Sequence, residues 1–73
     1  MEVASRLRQL LPHWIEHNES HLEQFREWEA QARAAGLEEA ADKIALAGNA
    51  IGQANEELAN ARELLPQSEL HEH

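Results

Sequence analysis

The second half of the chain repeats every seven residues. Large apolar residues return at that interval, and alanine stands three residues after four of them: Leu37, Ile44, Ile51, Leu58 and Leu65, with Ala40, Ala47, Ala54 and Ala61. A sustained seven-residue repeat indicates a helix that packs against another helix as in a coiled coil. Because the second position is alanine, the neighbouring helix can approach closely. The repeat predicts a helix over residues 37–65.

The first half carries an apolar stripe at helical spacing, and polar residues interrupt its middle. The apolar members are Leu7, Leu10, Leu11, Trp14, Leu22, Phe25, Trp28 and Ala32, and the interruption consists of His17, Asn18 and His21. A buried polar side chain needs hydrogen-bond partners or a metal ion. This polar layer is therefore the candidate functional region.

Glycine and proline divide the chain. Gly36 follows two alanines and precedes acidic residues, which is typical of a helix that ends on a left-handed glycine before a second helix begins. Pro66 predicts the end of the second helix, and residues 66–73 are predicted to form a disordered polar tail. Pro12 predicts a first helix that is bent or broken near this residue, and we favour two helical pieces in near-continuity, with a bend between them.

A short link at Gly36 predicts an all-α fold, an antiparallel helical hairpin forming a single domain over residues 1–65. Residues equally distant from the turn then lie opposite each other, so Asn18 faces Asn55 and His21 lies near Ile51 and Gly52. An isolated hairpin of this size is marginal, and we expect a homodimer that forms a four-helix bundle. The predicted core comprises Leu7, Leu11, Trp14, Phe25, Trp28, Ile44, Ile51 and Leu58, with the aromatic residues over the alanines and glycines of the second helix.

Composition excludes several classes of function. The chain has 73 residues, no cysteine and a formal net charge of −8, which disfavours nucleic acids and anionic membranes as ligands. No apolar run approaches the ~20 residues of a membrane span, and no signal peptide is recognisable. These features predict a soluble cytoplasmic protein. No cysteine nucleophile, serine elbow or glycine-rich phosphate loop is present, so we predict no enzymatic activity.

Three histidines follow one another at four-residue intervals: His13, His17 and His21. Residues four apart lie on the same side of a helix, so His17 and His21 can bind one metal ion. A two-fold axis near this layer would bring four imidazoles together, a set that suits Zn, Ni, Co or Cu. His13, farther round the helix, is a further candidate ligand. Asn18 or Asn55 could accept a hydrogen bond from a ligand ring and orient it.

Two other interpretations of the layer remain open. Histidine and asparagine at core positions often form a hydrogen-bonded layer that fixes register and oligomeric state, as in a non-enzymatic scaffold or protein-interaction module. Alternatively, because histidine titrates near neutral pH, the layer could make the bundle sensitive to acid.

The stretch from Leu10 to His21, LLPHWIEHNESH, with Phe25 and Trp28 after it, resembles a family of small prokaryotic helical proteins with an LLPHWIEHNxxH signature. The resemblance covers residues from about Arg6 to Leu65 and implies a Gly-containing turn and a second helix rich in Glu, Ala and Leu. Ser20 replaces the usual acidic residue, at a position expected to face outward. The family is poorly characterised, so the resemblance does not assign a function.

Overall fold

A computed structural model describes residues 2–66 and contains two helices, α1 over Glu2–Ala34 and α2 over Glu38–Glu63. The helices pack along each other and form an antiparallel hairpin, so the predicted all-α hairpin is confirmed. Of the predicted tail, residues 66–73, Pro66 is described, and residues 67–73 lie outside the described part of the chain. Neither of the two described helices contains a stretch that is both long and apolar enough to cross a bilayer.

The turn has the backbone geometry that the sequence predicts. Gly36 has φ +82°, in the left-handed region that favours glycine. Its N–H donates to the carbonyl of Arg33, and the N–H of Leu37 donates to the carbonyl of Ala32 at 2.9 Å. These bonds satisfy carbonyls at the end of α1. α2 begins at Glu38 and ends at Glu63, so Leu37 and Leu65 of the seven-residue repeat lie just beyond its two ends.

Helix α1 continues through Pro12 without a break. The favoured prediction of two helical pieces, with a break at Pro12, is therefore wrong, whereas the alternative of a single helix stays a prediction as to its bend. Proline removes one backbone donor and crowds the preceding turn, at a cost of about 3 kcal/mol or more. Leu11 is buried and Ile15 half-buried on either side of Pro12. Packing of these residues against α2 is the stabilisation that offsets the cost, because tertiary packing supplies most helical stability in proteins.

The core between the helices is thin. Its buried apolar residues are Ala4, Leu11 and Ala41, with 2%, 3% and 0% exposure. Gly48 is also buried, and a Cβ built on it would lie 3.2 Å from Cδ1 of Leu22. Half-buried residues extend this core along both helices: Leu7, Ile15, Leu22, Phe25, Ile44, Ile51 and Leu58.

The two tryptophans do not belong to this core. Trp14 and Trp28 were predicted to fill the space over the small residues of α2, but they are 40% and 60% exposed. The row of α1 that meets α2 is instead Leu11, Ile15, Leu22 and Phe25. Both tryptophans lie three residues after a member of that row, which turns them toward an adjacent face of the helix.

An ionic cluster connects the two helices beside the turn. The guanidinium of Arg33 donates to Glu29 on its own helix at 2.9 Å, and to Glu38 and Asp42 on α2 at 3.0 Å each. Hydrogen bonds to Glu29, Asp42 and Glu38, in that order of importance, raise the pKa of Arg33 above its ordinary value. At the opposite end, Arg8 donates to the carbonyl of Pro66.

We expect Arg33→Gln to lower the melting temperature slightly, because the cluster is partly exposed and water screens it. The difference between the variant and the wild type should shrink in 1 M salt, where the Debye length falls to about 3 Å. Melts followed by circular dichroism at low and high salt would measure it. A difference that is the same at both salt concentrations would contradict an electrostatic role.

Candidate functional site

Two asparagines join the helices at mid-length. The side-chain amide of Asn18 donates to the side-chain oxygen of Asn55 at 2.9 Å, and the amide of Asn55 donates to the backbone carbonyl of Ile15 at 3.2 Å. Both residues are half-buried. The predicted register, with Asn18 opposite Asn55, is confirmed. A buried polar group without a hydrogen-bond partner is costly. The asparagine pair therefore favours this alignment of α1 and α2 over alignments in which the two side chains do not meet.

The histidines do not share this layer. His13, His17 and His21 are all exposed in the hairpin, so His17 and His21 do not form a buried layer with the two asparagines between α1 and α2. Successive residues of a helix point about 100° apart. Because Asn18 faces α2, His17 is turned away onto the adjacent face, the same face as Trp14 and Trp28.

His17 and His21 nevertheless form a close pair. Their Nε2 atoms are 3.0 Å apart, and their rings stack with centroids 4.7 Å apart and an interplanar angle of 26°. Two nitrogens bound to one tetrahedral Zn²⁺ at 2.0–2.1 Å would be about 3.3–3.4 Å apart. The observed separation is close to that value. It also fits a single N–H···N hydrogen bond between one imidazole that donates and one that accepts.

The pair offers two ligands and no more. The ring of His13 stands edge-on to His17 with centroids 6.3 Å apart, outside the close pair. Within residues 2–66, no three His, Cys, Asp or Glu side chains are grouped closely enough to hold a metal ion. Asn18 and Asn55 bond to each other and to Ile15, and not to a histidine, so the expected orienting role has no support in these contacts.

The histidine pair lies on a broad uncharged surface of the hairpin, here called the tryptophan face. Its members on α1 and α2 are Leu7, Leu10, Trp14, His17, His21 and Trp28, and Ala40, Ile44, Ala47, Ile51, Ala54 and Leu58. None of the twelve is charged, although the chain carries a net charge of −8. Large apolar side chains left exposed in this way mark a contact surface more often than a solvated one.

Two grooves run along the tryptophan face, one on each side of the histidine pair. The first, toward the open end of the hairpin, is lined by His13, Trp14, His17, Asn18 and Leu58. The second, toward the turn, is lined by Phe25, Trp28, Lys43, Ile44 and Ala47. The sequence indicates the tryptophan face through the width of the apolar stripe of α1. That stripe is too wide to be covered by contact with one helix.

Fold and site together define a small acidic helical hairpin with a histidine pair on an uncharged face. A family model described as "Domain of unknown function (DUF8180)" matches residues 7–65. The chain belongs to this family, which agrees with the poorly characterised family that the sequence resembles. No curated protein and no solved structure gives a significant match to the chain.

Proposed function

We propose that this protein binds a divalent transition-metal ion through His17 and His21. The observation that carries the proposal is the 3.0 Å separation of the two Nε2 atoms. Histidines four residues apart on a helix are a recurrent metal-binding arrangement, and imidazole suits Zn, Ni, Co and Cu. The surrounding face is uncharged and apolar, which limits competition from water once the face is covered.

The complete site requires a second copy of the chain, so we propose a homodimeric four-helix bundle. Two imidazoles leave half of a tetrahedral coordination shell open, and a symmetry-related pair fills it. Exposed Trp14 and Trp28 flank the pair, and their burial would add to a core that the hairpin alone leaves thin. A homodimer with two-fold symmetry is the commonest assembly of soluble proteins.

A second candidate is a non-enzymatic scaffold or protein-interaction module in which the polar residues are structural. Two observations favour it. The Asn18–Asn55 bond already fixes the register without any ion, and a hydrogen bond between the two imidazoles accounts for their close approach. In this candidate the tryptophan face still binds another chain, but no metal accompanies it.

Metal titration separates the two candidates. Untagged protein with His71→Ala and His73→Ala serves as the parent, because those two imidazoles could bind metal independently. We expect Zn²⁺ or Co²⁺ to bind with one ion per two chains in calorimetry. At a free concentration of 100 times Kd, linkage adds about 2.7 kcal/mol, which should raise the melting temperature by roughly 10–20 °C for a domain of this size.

Matched variants identify the ligands. His17→Ala and His21→Ala should each abolish the metal-dependent rise in melting temperature, and His13→Ala should retain it. With Co²⁺, visible absorption bands of a tetrahedral complex should appear in the parent and be lost with either ligand. If Zn, Ni, Co and Cu all leave the melting temperature of the parent unchanged, the metal site does not exist. That result would favour the second candidate, the scaffold or protein-interaction module.

A further inference from the structure

The bulk of the side chains on the tryptophan face differs between the two helices. On α1 the exposed members include Trp14, His17, His21 and Trp28, whereas on α2 the exposed members are the alanines at 40, 47 and 54. Inside the hairpin, α1 and α2 already meet with large against small, since Leu22 lies over Gly48. The tryptophan face therefore presents a bulky half and a flat half side by side.

We propose that a second copy covers this face with its turn at the same end, so that α1 of each copy lies across α2 of the other. This inference rests on the proposed homodimer and adds its orientation. The two-fold axis then runs parallel to the helices, and the bulky half of one copy meets the flat half of its partner. The opposite arrangement, with turns at opposite ends, sets α1 against α1 and α2 against α2, bulky on bulky and flat on flat.

The histidine pair fits this orientation. Rotation about a two-fold axis parallel to the helices does not shift a residue along that axis. His17 and His21 therefore lie at the same height along the bundle as the same two residues of the partner, wherever the axis stands. Helix axes 8–10 Å apart place the bundle centre about 6–7 Å from each axis, a distance that a histidine side chain spans. With turns at opposite ends, the four imidazoles are level only if the axis passes close to residue 19.

Charges at the edges of the face are complementary in the same orientation. By seven-residue position, Glu27 lies on the edge of α1 that is remote from its own α2, and Lys43 lies on the remote edge of α2. The Leu22–Gly48 contact sets residue 27 level with residue 43, and the Asn18–Asn55 contact sets residue 30 there, about 4.5 Å farther along the helix, so Glu27 comes close to the height of Lys43 of the partner subunit. Opposite charges across a flank set orientation in helical bundles.

The size of the face meets the requirement of a stable dimer. α2 has 26 residues, so the two helices run side by side for about 40 Å. Two helices 8–10 Å apart make a face about 18–20 Å wide, and its projected area is roughly 700–800 Å². Specific interfaces bury about 800 Å² on each partner, so the whole tryptophan face is needed.

Distance measurement between spin labels tests the orientation. The chain contains no cysteine, so Ala35→Cys, exposed beside the turn, carries a single label on the full chain. We expect a separation of roughly 10–25 Å, because the two turns lie at one end of the bundle. Continuous-wave line broadening measures the short part of this range, and double electron–electron resonance measures the long part. With turns at opposite ends and an axis at residue 19, the rise of 1.5 Å per residue gives about 45–50 Å.

A label at Glu19→Cys is the matched control. Its separation is short if the turns lie at the same end, and also if they lie at opposite ends with the axis at residue 19, so in these two arrangements it reports dimer formation alone. A short distance at residue 19 with a long one at residue 35 would overturn the orientation and leave the homodimer intact. No dipolar signal at either residue would overturn both the orientation and the homodimer. Short distances at both residues in protein that binds no metal would uphold the orientation while the metal proposal fails.

Discussion

Leu11→Ala should lower the free energy of unfolding by about 2–5 kcal/mol, the range for a buried leucine truncated to alanine. Leu11 is 3% exposed, and it is the largest of the three buried apolar residues within residues 2–66. A chain of this size has only about 3–5 kcal/mol of stability from its core. The variant is therefore expected to lose most of its cooperative folding at 25 °C. Urea unfolding followed by circular dichroism at 222 nm measures the loss.

Leu46→Ala is the matched control, because Leu46 is 59% exposed on a helix and the chemical change is the same. Its unfolding free energy should change by no more than about 0.5 kcal/mol, the usual range for surface positions. Both variants must be compared at one protein concentration, since an oligomer's stability depends on it. Equal losses of unfolding free energy in the two variants would show that the row of α1 residues that meets α2 does not stabilise the hairpin.

Gly48→Leu should force the helices apart. A Cβ at this position already lies 3.2 Å from Cδ1 of Leu22, and leucine adds three further carbon atoms to it. Overpacking typically costs about 1–3 kcal/mol. The better helix propensity of leucine recovers only about 1 kcal/mol. We expect a net loss of up to about 2 kcal/mol in the unfolding free energy, measured by the same urea titration.

Two control variants separate crowding from propensity. Ala50→Leu adds a leucine to an exposed position two residues away and should be nearly neutral. Gly52→Ala should raise the unfolding free energy by up to about 1 kcal/mol, because a Cβ there meets nothing within 4 Å. If Gly48→Leu proves as stable as Ala50→Leu, the close approach of α1 and α2 at Gly48 is not a constraint on the fold.

Leu11→Ala and the metal variants act on different faces of α1. Leu11 and Leu22 face α2, whereas His17 and His21 are exposed on the tryptophan face. Alanine at either histidine should therefore leave the metal-free hairpin close to wild-type stability. A loss of metal binding in those variants can then be assigned to a lost ligand and not to unfolding.

Several elements of the fold were predictable because their causes are local. Gly36 reverses the chain because its left-handed backbone suits glycine, and the acidic start of α2 suits the helix dipole. The Asn18–Asn55 contact followed from counting residues outward from that turn. The Pro12 break was predicted wrongly because the cost of proline is local, while the packing that offsets it, at Leu11 and Ile15, is tertiary.

The amino-acid sequence determined two helices, their turn and their register, since helical periodicity, glycine and the distance from the turn are properties of the chain itself. Tertiary structure decided which side of α1 meets α2. The apolar stripe spans more of the helix circumference than one neighbour can cover, and the pattern alone does not rank its two edges. Packing put Leu11, Asn18 and Leu22 against α2, and by geometry that choice left Trp14, His17 and His21 exposed.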